Sequence, residues 1–248
     1  MHGPPLSLQS HMTEELFRED ADLLECTASV IAVDEAGIVL DRTVFYPLGG
    51  GQAGDAGTLT LPDGSTVAIV DTRKHKEHPG SIAHVAAVGT DLSRLVVGTR
   101  VTARIDAMRR LAHRRFHTAT HLLCALVPHP VDGCSITAEY ARLDFHMTEP
   151  LDKDVLTEGL NRLIAEAHPV RHRWITEEEL DANPGLVRSM SVQPPRGLGR
   201  IRVLEVEGVD LQPCGGTHVT NTADIGRMMV TKIEKKSART RRVVLGFA

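Results

Sequence analysis

The chain has 248 residues, of which 42% are hydrophobic and 3% aromatic, and its formal net charge is −4. This length suits one large or two smaller domains with a mainly aliphatic core. The charge argues against a surface covered in basic residues, although a local basic patch stays open. The sequence has no apolar run of the roughly 20 residues that a membrane helix needs, so we expect no membrane span, and we expect no secretory signal.

The N-terminal residues and the cysteines indicate the setting of the protein. Residues 1–12 lack a pattern and contain Ser10-His11-Met12, which resembles a cloning scar, so we expect a tag or a disordered extension. The four cysteines are too few for a disulfide framework, and we expect a reducing, cytoplasmic location. They are Cys26, Cys124, Cys134 and Cys214.

Short β-rich segments with Gly and Pro turns fill residues 13–105, which we predict to form a small β-barrel. The first two, residues 26–33 and 38–45, are predicted to form a hairpin. Further short strands are predicted at residues 58–61, 66–71, 82–85 and 100–105. The glycine-rich loop at residues 46–57 lacks the Lys-Ser/Thr ending of a phosphate-binding loop. Either a structural turn or a role in lining the site of the other half stays open.

A helix is predicted from an N-cap at Asp106 to about residue 127. On it, His117 and His121 stand four residues apart and therefore share one face. About a hundred residues later, Cys214 and His218 repeat this spacing across two glycines. The two pairs predict one metal site, and three imidazoles with a thiolate suit zinc (Zn2+). Four protein ligands usually make a closed structural site, whereas catalysis needs an open position.

Other polar residues on this helix have two interpretations each. Four arginines near its start indicate either a solvated face or a strip that contacts a phosphate backbone. They are Arg109, Arg110, Arg114 and Arg115. Thr118 and Thr120 lie on the same helix, and a hydroxyl near the metal could orient a substrate amine or hydroxyl. The remaining chain alternates helices with mostly antiparallel strands, so residues 106–248 are predicted to form an α+β domain of two layers.

The segments His117-Thr118-Ala119-Thr120-His121-Leu122-Leu123 and Cys214-Gly215-Gly216-Thr217-His218-Val219 resemble the editing domain of alanyl-tRNA synthetase. They are equally similar to its free-standing relatives, the AlaX-type alanyl-tRNA editing proteins. Residues 41–52, 133–145 and 210–213 also resemble this family. The length suits the medium type, which has an N-terminal β-barrel followed by the zinc-binding editing domain.

The resemblance implies a trans-editing hydrolase, an aminoacyl-tRNA deacylase that removes serine, and often glycine, from mischarged tRNA(Ala). It implies zinc as the cofactor, no membrane partner and no DNA partner. The zinc ligands by resemblance are His117, His121, Cys214 and His218. Thr118 is then the candidate catalytic residue that recognises the serine hydroxyl. The candidate substrate-binding residues are Gly49, Gly50, Gly51, Gln52, Asp132, Ser135, Arg114 and Arg115.

Two other functions stay open at this stage. A zinc-stapled tRNA-binding module without catalysis would bind tRNA with a steep salt dependence and show no turnover. A zinc hydrolase of small esters or amides would not need the body of the tRNA.

Overall fold

A computed structural model describes residues 12–190, 197 and 199–248. By their contacts these residues divide into two compact units, one of residues 12–48 and 54–106, the other of residues 49–53 and the described part of 107–248. The predicted tag lies outside the described residues except for Met12, as does most of a Pro/Gly-rich loop predicted at residues 192–200. The predicted domain limits stay a prediction.

The first unit contains eight strands, six of which close into a barrel. Strands β1 to β8 are Glu14–Glu15, Glu25–Asp34, Gly37–Leu40, Arg42–Thr43, Gly57–Thr60, Thr66–Lys74, Ile82–Ala86 and Arg100–Ile105. The barrel order is β2-β3-β7-β6-β5-β8, and every neighbouring pair is antiparallel. Alternation along the strands places aliphatic side chains such as Val30, Ile38 and Leu59 in its core. The predicted β-barrel is therefore confirmed.

The first predicted hairpin forms, but its second strand is shorter than expected. It stops at Leu40, and after Asp41 the chain continues as the two-residue strand β4. The carboxylate of Asp41 accepts a hydrogen bond from the backbone N–H of Ser29 at 2.7 Å. The Asp41 side chain thus binds a backbone N–H of β2. Regular pairing of β2 and β3 ends at Leu40, one residue before Asp41.

The second unit contains three helices and seven strands. Helices α1 to α3 are Ala107–Leu126, Lys153–Ala165 and Glu177–Ala182. Strands β9 to β15 are Val131–Ile136, Ala141–His146, Val170–Thr176, Arg200–Val206, Asp210–Pro213, Met228–Ser237 and Thr240–Phe247. They form one sheet of order β14-β15-β10-β9 and another of order β11-β12-β13, both antiparallel. The predicted α+β class is confirmed.

Local chemistry explains where several of these elements begin and end. The side chain of Asp152 caps α2 by accepting from the backbone N–H groups of Asp154 and Val155. Thr176 and Glu179 form a capping box at the start of α3. The sequence predicts a last hairpin of strands at residues 226–234 and 241–247 around a basic turn at residues 235–240. The observed pairing continues to Ser237↔Thr240, so most of that turn is strand.

Helix α1 carries the two histidines that were predicted as metal ligands and is buried along most of its length. Its apolar residues Phe116, Ala119, Leu122 and Leu123 join the core of the second unit. A helix fixed on several sides in this way holds its polar side chains in defined directions. Among the described residues, no helix combines the length and apolar character that crossing a membrane requires.

Candidate metal centre

The four predicted ligands come together at one point. Donor atoms of His117, His121, Cys214 and His218 all lie within 4.8 Å of one another. Cys214 Sγ lies 3.4 Å from His117 Nε2 and 3.2 Å from His218 Nε2. In a tetrahedral zinc site, bonds of about 2.0 Å to nitrogen and 2.3 Å to sulfur hold these two atoms about 3.5 Å apart. The spacing therefore fits a tetrahedral ion.

Gln52 fixes which nitrogen of His117 faces this point. Its amide oxygen accepts the backbone N–H of Thr217 at 3.1 Å, and its amide nitrogen lies 2.9 Å from Thr217 Oγ1. A backbone N–H can only donate, so this contact sets the orientation of the amide. The same oxygen lies 2.8 Å from His117 Nδ1, which must therefore carry the proton. The Nε2 lone pair of His117 is left for a metal.

The hydrogen-bond partners of the other two imidazoles likewise fix which nitrogen carries the proton. His121 Nδ1 lies 2.8 Å from the carboxylate of Asp210, an acceptor, so it donates. His218 Nδ1 lies 3.3 Å from Thr118 Oγ1. That hydroxyl donates to the carbonyl of Arg114 at 2.8 Å, so it can only accept from His218. Partners behind metal-binding histidines commonly fix the tautomer in this way.

The neighbouring groups favour the thiolate form of Cys214, which is the form that binds a metal. Burial raises the pKa of Cys214, but the neighbouring His117 and His218 outweigh it and hold that pKa well below its usual value. Burial, together with the neighbouring His117, lowers the pKa of His218. Burial opposes protonation of His121, but Asp210 and Cys214 raise its pKa to about 10. A thiolate beside imidazoles is the donor set that soft divalent ions such as zinc prefer.

The loop that carries Cys214 and His218 is held close to helix α1. A Cβ atom on Gly216 would lie 2.1 Å from His117 Cε1, so only glycine allows this approach. Arg202 donates to the carbonyls of Cys214 and Gly216 at 2.9 and 3.2 Å. Arg114 donates to the carbonyl of His218 at 2.7 Å. Both guanidinium groups therefore fix the backbone of the ligand loop.

The candidate catalytic and arginine residues lie close to the ligands in sequence but are engaged inside the protein. Thr118 is fully buried, and its hydroxyl also accepts the N–H of Val219 at 3.2 Å. Arg114 is buried, whereas Arg115 is half-buried and donates to the carbonyl of Ile225 at 2.5 Å. These contacts are those of residues that position the site. The predicted roles of the three in substrate recognition stay predictions.

The glycine-rich loop borders the ligand group, whereas other candidates have different neighbours. Residues 49–53 run beside β9, with Gly51 and Ala53 hydrogen-bonded to the backbone of Ile136 at 2.8 and 2.9 Å. Gly50 and Gly51 adopt positive φ angles of 59° and 85°. Asp132 accepts from His146 and Thr240, both at 3.3 Å, and Ser135 pairs with Arg142 across β9 and β10. Gly49 closes the loop through two backbone bonds with Gln52.

A second group of potential ligands lies in the first unit and consists of Asp34, His75 and His78. Nδ1 of His75 accepts the backbone N–H groups of Glu77 and His78 at 3.2 and 3.1 Å. Nε2 must then carry the proton, which it donates to Asp34 Oδ2 at 3.0 Å. Neither nitrogen of His75 keeps a lone pair for a metal, so this group has the geometry of a structural cluster.

Proteins named alanyl-tRNA editing protein AlaX-M match nearly the whole chain. One from Methanosarcina barkeri is 33% identical over 241 residues, which cover 94% of this chain and 98% of that protein. One from Saccharolobus solfataricus is 31% identical over 239 residues with the same coverage. This chain belongs to the AlaX-M family. The family that the sequence motifs predicted is thereby confirmed.

Two further similarities agree with this membership. The family of class II (A) tRNA synthetases matches residues 11–109, and the second additional domain of threonyl and alanyl tRNA synthetases matches residues 201–244. An alanine–tRNA ligase from Methanothermobacter thermautotrophicus is 34% identical over 232 residues, which cover 90% of this chain but only 25% of the ligase. The AlaX-M chain thus corresponds to one portion of that larger enzyme.

Three residues that shape the centre were not predicted in these roles. Gln52 was predicted to border the substrate pocket rather than to hold His117. Asp210 was named only within a stretch that resembles the family, and Gly216 only as one of the two glycines between Cys214 and His218. An acidic and an amide residue at 210 and 212, just before a cysteine ligand, are a signal that could have found Asp210. Apart from the family motif that it shares, the sequence around Gln52 gives no sign of the contact with His117.

Proposed function

We propose that this chain is a trans-editing hydrolase that cleaves the ester joining serine, or glycine, to tRNA(Ala). Membership of the alanyl-tRNA editing family supports the substrate class. The observation that carries the proposal is the convergence of Cys214 with three imidazoles whose Nδ1 atoms are all held from behind. Such second-layer contacts are typical of working metal sites.

Zinc is the ion that we assign to this centre. His117, His121, Cys214 and His218 would hold it, since the donor set and the spacing both suit tetrahedral coordination. When bound, zinc supplies a Lewis acid that polarises an ester carbonyl or orients a substrate amine. An aminoacyl ester is already activated, so the reaction does not require a nucleophilic side chain.

The chain's own residues hold the centre rigid and largely dry. Gln52, Asp210 and Thr118 orient the three imidazoles, and all three are buried. Imidazoles fixed in this way need not reorganise when charge develops on the substrate. We propose that Thr118 acts through His218. Its predicted direct contact with the serine hydroxyl stays a prediction, as do the predicted substrate contacts.

Selection of serine follows from the cost of an unpaired polar group. A pocket built to hydrogen-bond a hydroxyl rejects a substrate that lacks it, because its own polar groups are then left without partners. We therefore expect serine to be removed and alanine to be spared. Glycine also lacks the hydroxyl, but it is smaller than alanine and leaves room for a water molecule beside those polar groups, so we expect glycine to be released more slowly than serine.

The test is deacylation of tRNA(Ala) charged separately with serine, glycine and alanine. We expect the zinc-loaded protein to release serine, and more slowly glycine, while alanine stays attached. Loss of all three amino acids at the same rate would contradict the proposed selectivity. No release of any of them would overturn the proposed function.

A zinc-stapled tRNA-binding module is the second candidate, because four protein donors fill a tetrahedral shell. The variant Cys214→Ala separates the two functions. If zinc serves catalysis, a folded variant still binds tRNA but loses turnover. If zinc is only structural, the wild type shows no turnover and the variant loses thermal stability.

A further inference from the structure

One face of the three-stranded sheet β11-β12-β13 carries both a metal ligand and an exposed aromatic residue. Successive side chains along a strand point to opposite faces, so the residues with even numbers on β11 and β12 share one face. Trp174 pairs directly with Arg202 in the antiparallel register, and the backbone N–H of Cys214 donates to the carbonyl of Arg202. Trp174, Arg202 and Cys214 therefore form one row across the sheet.

The length of this row matches the size of a nucleoside. Neighbouring strands lie about 4.8 Å apart, so the backbones of Trp174 and Cys214 are separated by about 9.6 Å. An amino acid esterified to the ribose at the end of a tRNA is separated from the terminal base by that ribose alone. With the ester at the metal centre, the terminal base is within reach of Trp174.

The surroundings of Trp174 suit an RNA base and its phosphate. The indole is 37% exposed, and the guanidinium of Arg200 lies 4.5 Å from the centre of the ring. On this face β11 and β12 contribute no acidic residue, while His172 and Arg200 are exposed beside the ring. Aromatic rings flanked by cationic side chains are the usual platforms for single-stranded nucleic acids.

We propose that Trp174 stacks on the 3′-terminal adenine of the tRNA while Arg200 contacts its phosphate backbone. This inference rests on the proposed function for the identity of the RNA. It assigns a base-binding position to a residue outside the metal centre and on the same sheet face. Trp174 is thereby a binding residue that places the ester, and it takes no part in bond cleavage.

Intrinsic fluorescence tests the contact directly, because Trp174 is the only tryptophan in the chain. Uncharged tRNA(Ala) ending in CCA is titrated into the wild-type protein beside the same tRNA lacking its terminal adenosine. We expect saturable quenching by the first and a much smaller change with the second. Equal quenching by both, or none by either, would overturn the proposal.

Kinetics provide the second test, and the variants Trp174→Ala and Trp174→Phe form a pair. Loss of a stacked ring should raise KM for Ser-tRNA(Ala) about five- to hundredfold and leave kcat nearly unchanged. Phenylalanine keeps a ring and should restore most of the affinity. The matched control is Tyr140→Ala, since Tyr140 is a comparably exposed aromatic residue (40%) on the turn between β9 and β10.

The outcomes separate this proposal from the proposed function. If the wild type deacylates Ser-tRNA(Ala) but Trp174→Ala keeps its KM, the stacking contact is wrong and the function stands. If the wild type shows no turnover, the function fails, and the fluorescence titration still decides whether the ring binds the terminal adenosine. A KM for Trp174→Phe as high as that of Trp174→Ala would also contradict stacking.

Discussion

Among the described residues, one histidine cluster lies in each unit of this protein, and only the cluster in the second unit keeps ring nitrogens that a metal could use. In the first unit, backbone N–H groups point at Nδ1 of His75, which forces its proton onto the nitrogen that faces Asp34. In the second unit, acceptors stand behind Nδ1 of His117 and His121, so Nε2 is the nitrogen of each ring that would bind a metal once it is deprotonated. In both clusters the potential ligand atoms lie within 4.8 Å of one another, so distance alone does not separate them.

The difference shows that the hydrogen-bond partner of one ring nitrogen decides whether the other nitrogen can bind a metal. A neutral imidazole has one donor and one acceptor nitrogen, so fixing one fixes the other. Nε2 keeps the lone pair that a metal needs only when Nδ1 donates its proton to an acceptor. This distinction predicts how each cluster responds to substitution.

The largest effect is expected from removing the thiolate. Cys214→Ala should weaken zinc binding by more than about a hundredfold, which exceeds the loss typical of outer partners. The measurement is competition for zinc against a chromophoric chelator. His78→Ala is the matched control in the other cluster and should leave one zinc ion per chain. If the wild type bound two zinc ions and His78→Ala bound only one, the first cluster would also hold a metal and the contrast between the clusters would be wrong.

Gln52 tests whether the tautomer matters as much as the ligands. Gln52→Met keeps the size of the side chain but removes the acceptor, and we expect zinc affinity to fall about 10- to 100-fold. Gln52→Glu keeps an acceptor toward His117 and Thr217 and should retain the affinity. A cobalt-substituted protein would report the ligand geometry by its visible absorption. Equal affinities for the two variants would contradict the role of Gln52.

Gly216 tests how closely the ligand loop must approach helix α1. Gly216→Ala would push a methyl group into the ring of His117, and we expect a loss of about 1–3 kcal/mol in the free energy of unfolding. Gly185→Ala is the matched control, because nothing lies within 4 Å of its new Cβ atom. Thermal unfolding of the zinc-loaded proteins measures both. A similar melting temperature for Gly216→Ala and the wild type would show that the loop can move.

His84 extends the comparison to a buried histidine without a metal role. Nδ1 donates to the carbonyl of Ile38 at 2.9 Å, and Nε2 lies 2.8 Å from the hydroxyl of Thr43. Burial lowers the pKa of His84 to about 4, although the bond to Ile38 opposes the shift. The folded state therefore stays neutral where the unfolded state, with a pKa of about 6.5, binds a proton.

From this shift we predict that acid weakens the fold through His84. This loss in the free energy of unfolding is negligible above the unfolded pKa. It grows as the pH falls from about 6.5 toward 4 and reaches about 2 kcal/mol at pH 5. Urea unfolding at pH 7.5 and pH 5 measures the loss. His84→Gln, which does not titrate, should reduce the difference between the two pH values. An unchanged difference would assign the acid sensitivity to other groups.

The sequence was sufficient to predict that the four candidate ligands come together, but not what holds them. The i, i+4 spacing of His117 and His121 is a local signal, and a helix turns it into geometry without further information. The contacts of Gln52 with His117 and Thr217 span 65 and 165 residues, and no local pattern encodes such distances. The short strands with Gly and Pro turns predicted the barrel because each is a local feature.

The arginines illustrate a different limit of prediction. A cluster of arginines on a helix indicates a solvated face or a phosphate contact, because arginine is rarely buried. Here Arg110 and Arg114 are buried, and Arg114 holds the carbonyl of His218. The acceptor that Arg114 reaches there is a backbone carbonyl, a group that every residue type carries. Composition and spacing therefore give no sign of them.

The path of residues 49–53 has a consequence for dissecting or transplanting this protein. A fragment that starts at Ala107 would contain all four proposed metal ligands and most of their supporting residues. It would lack Gln52, and the proton of His117 would be free to move to the nitrogen that faces the metal. A graft of the editing half onto another scaffold should therefore bring this short loop with it, or supply another acceptor at the same place.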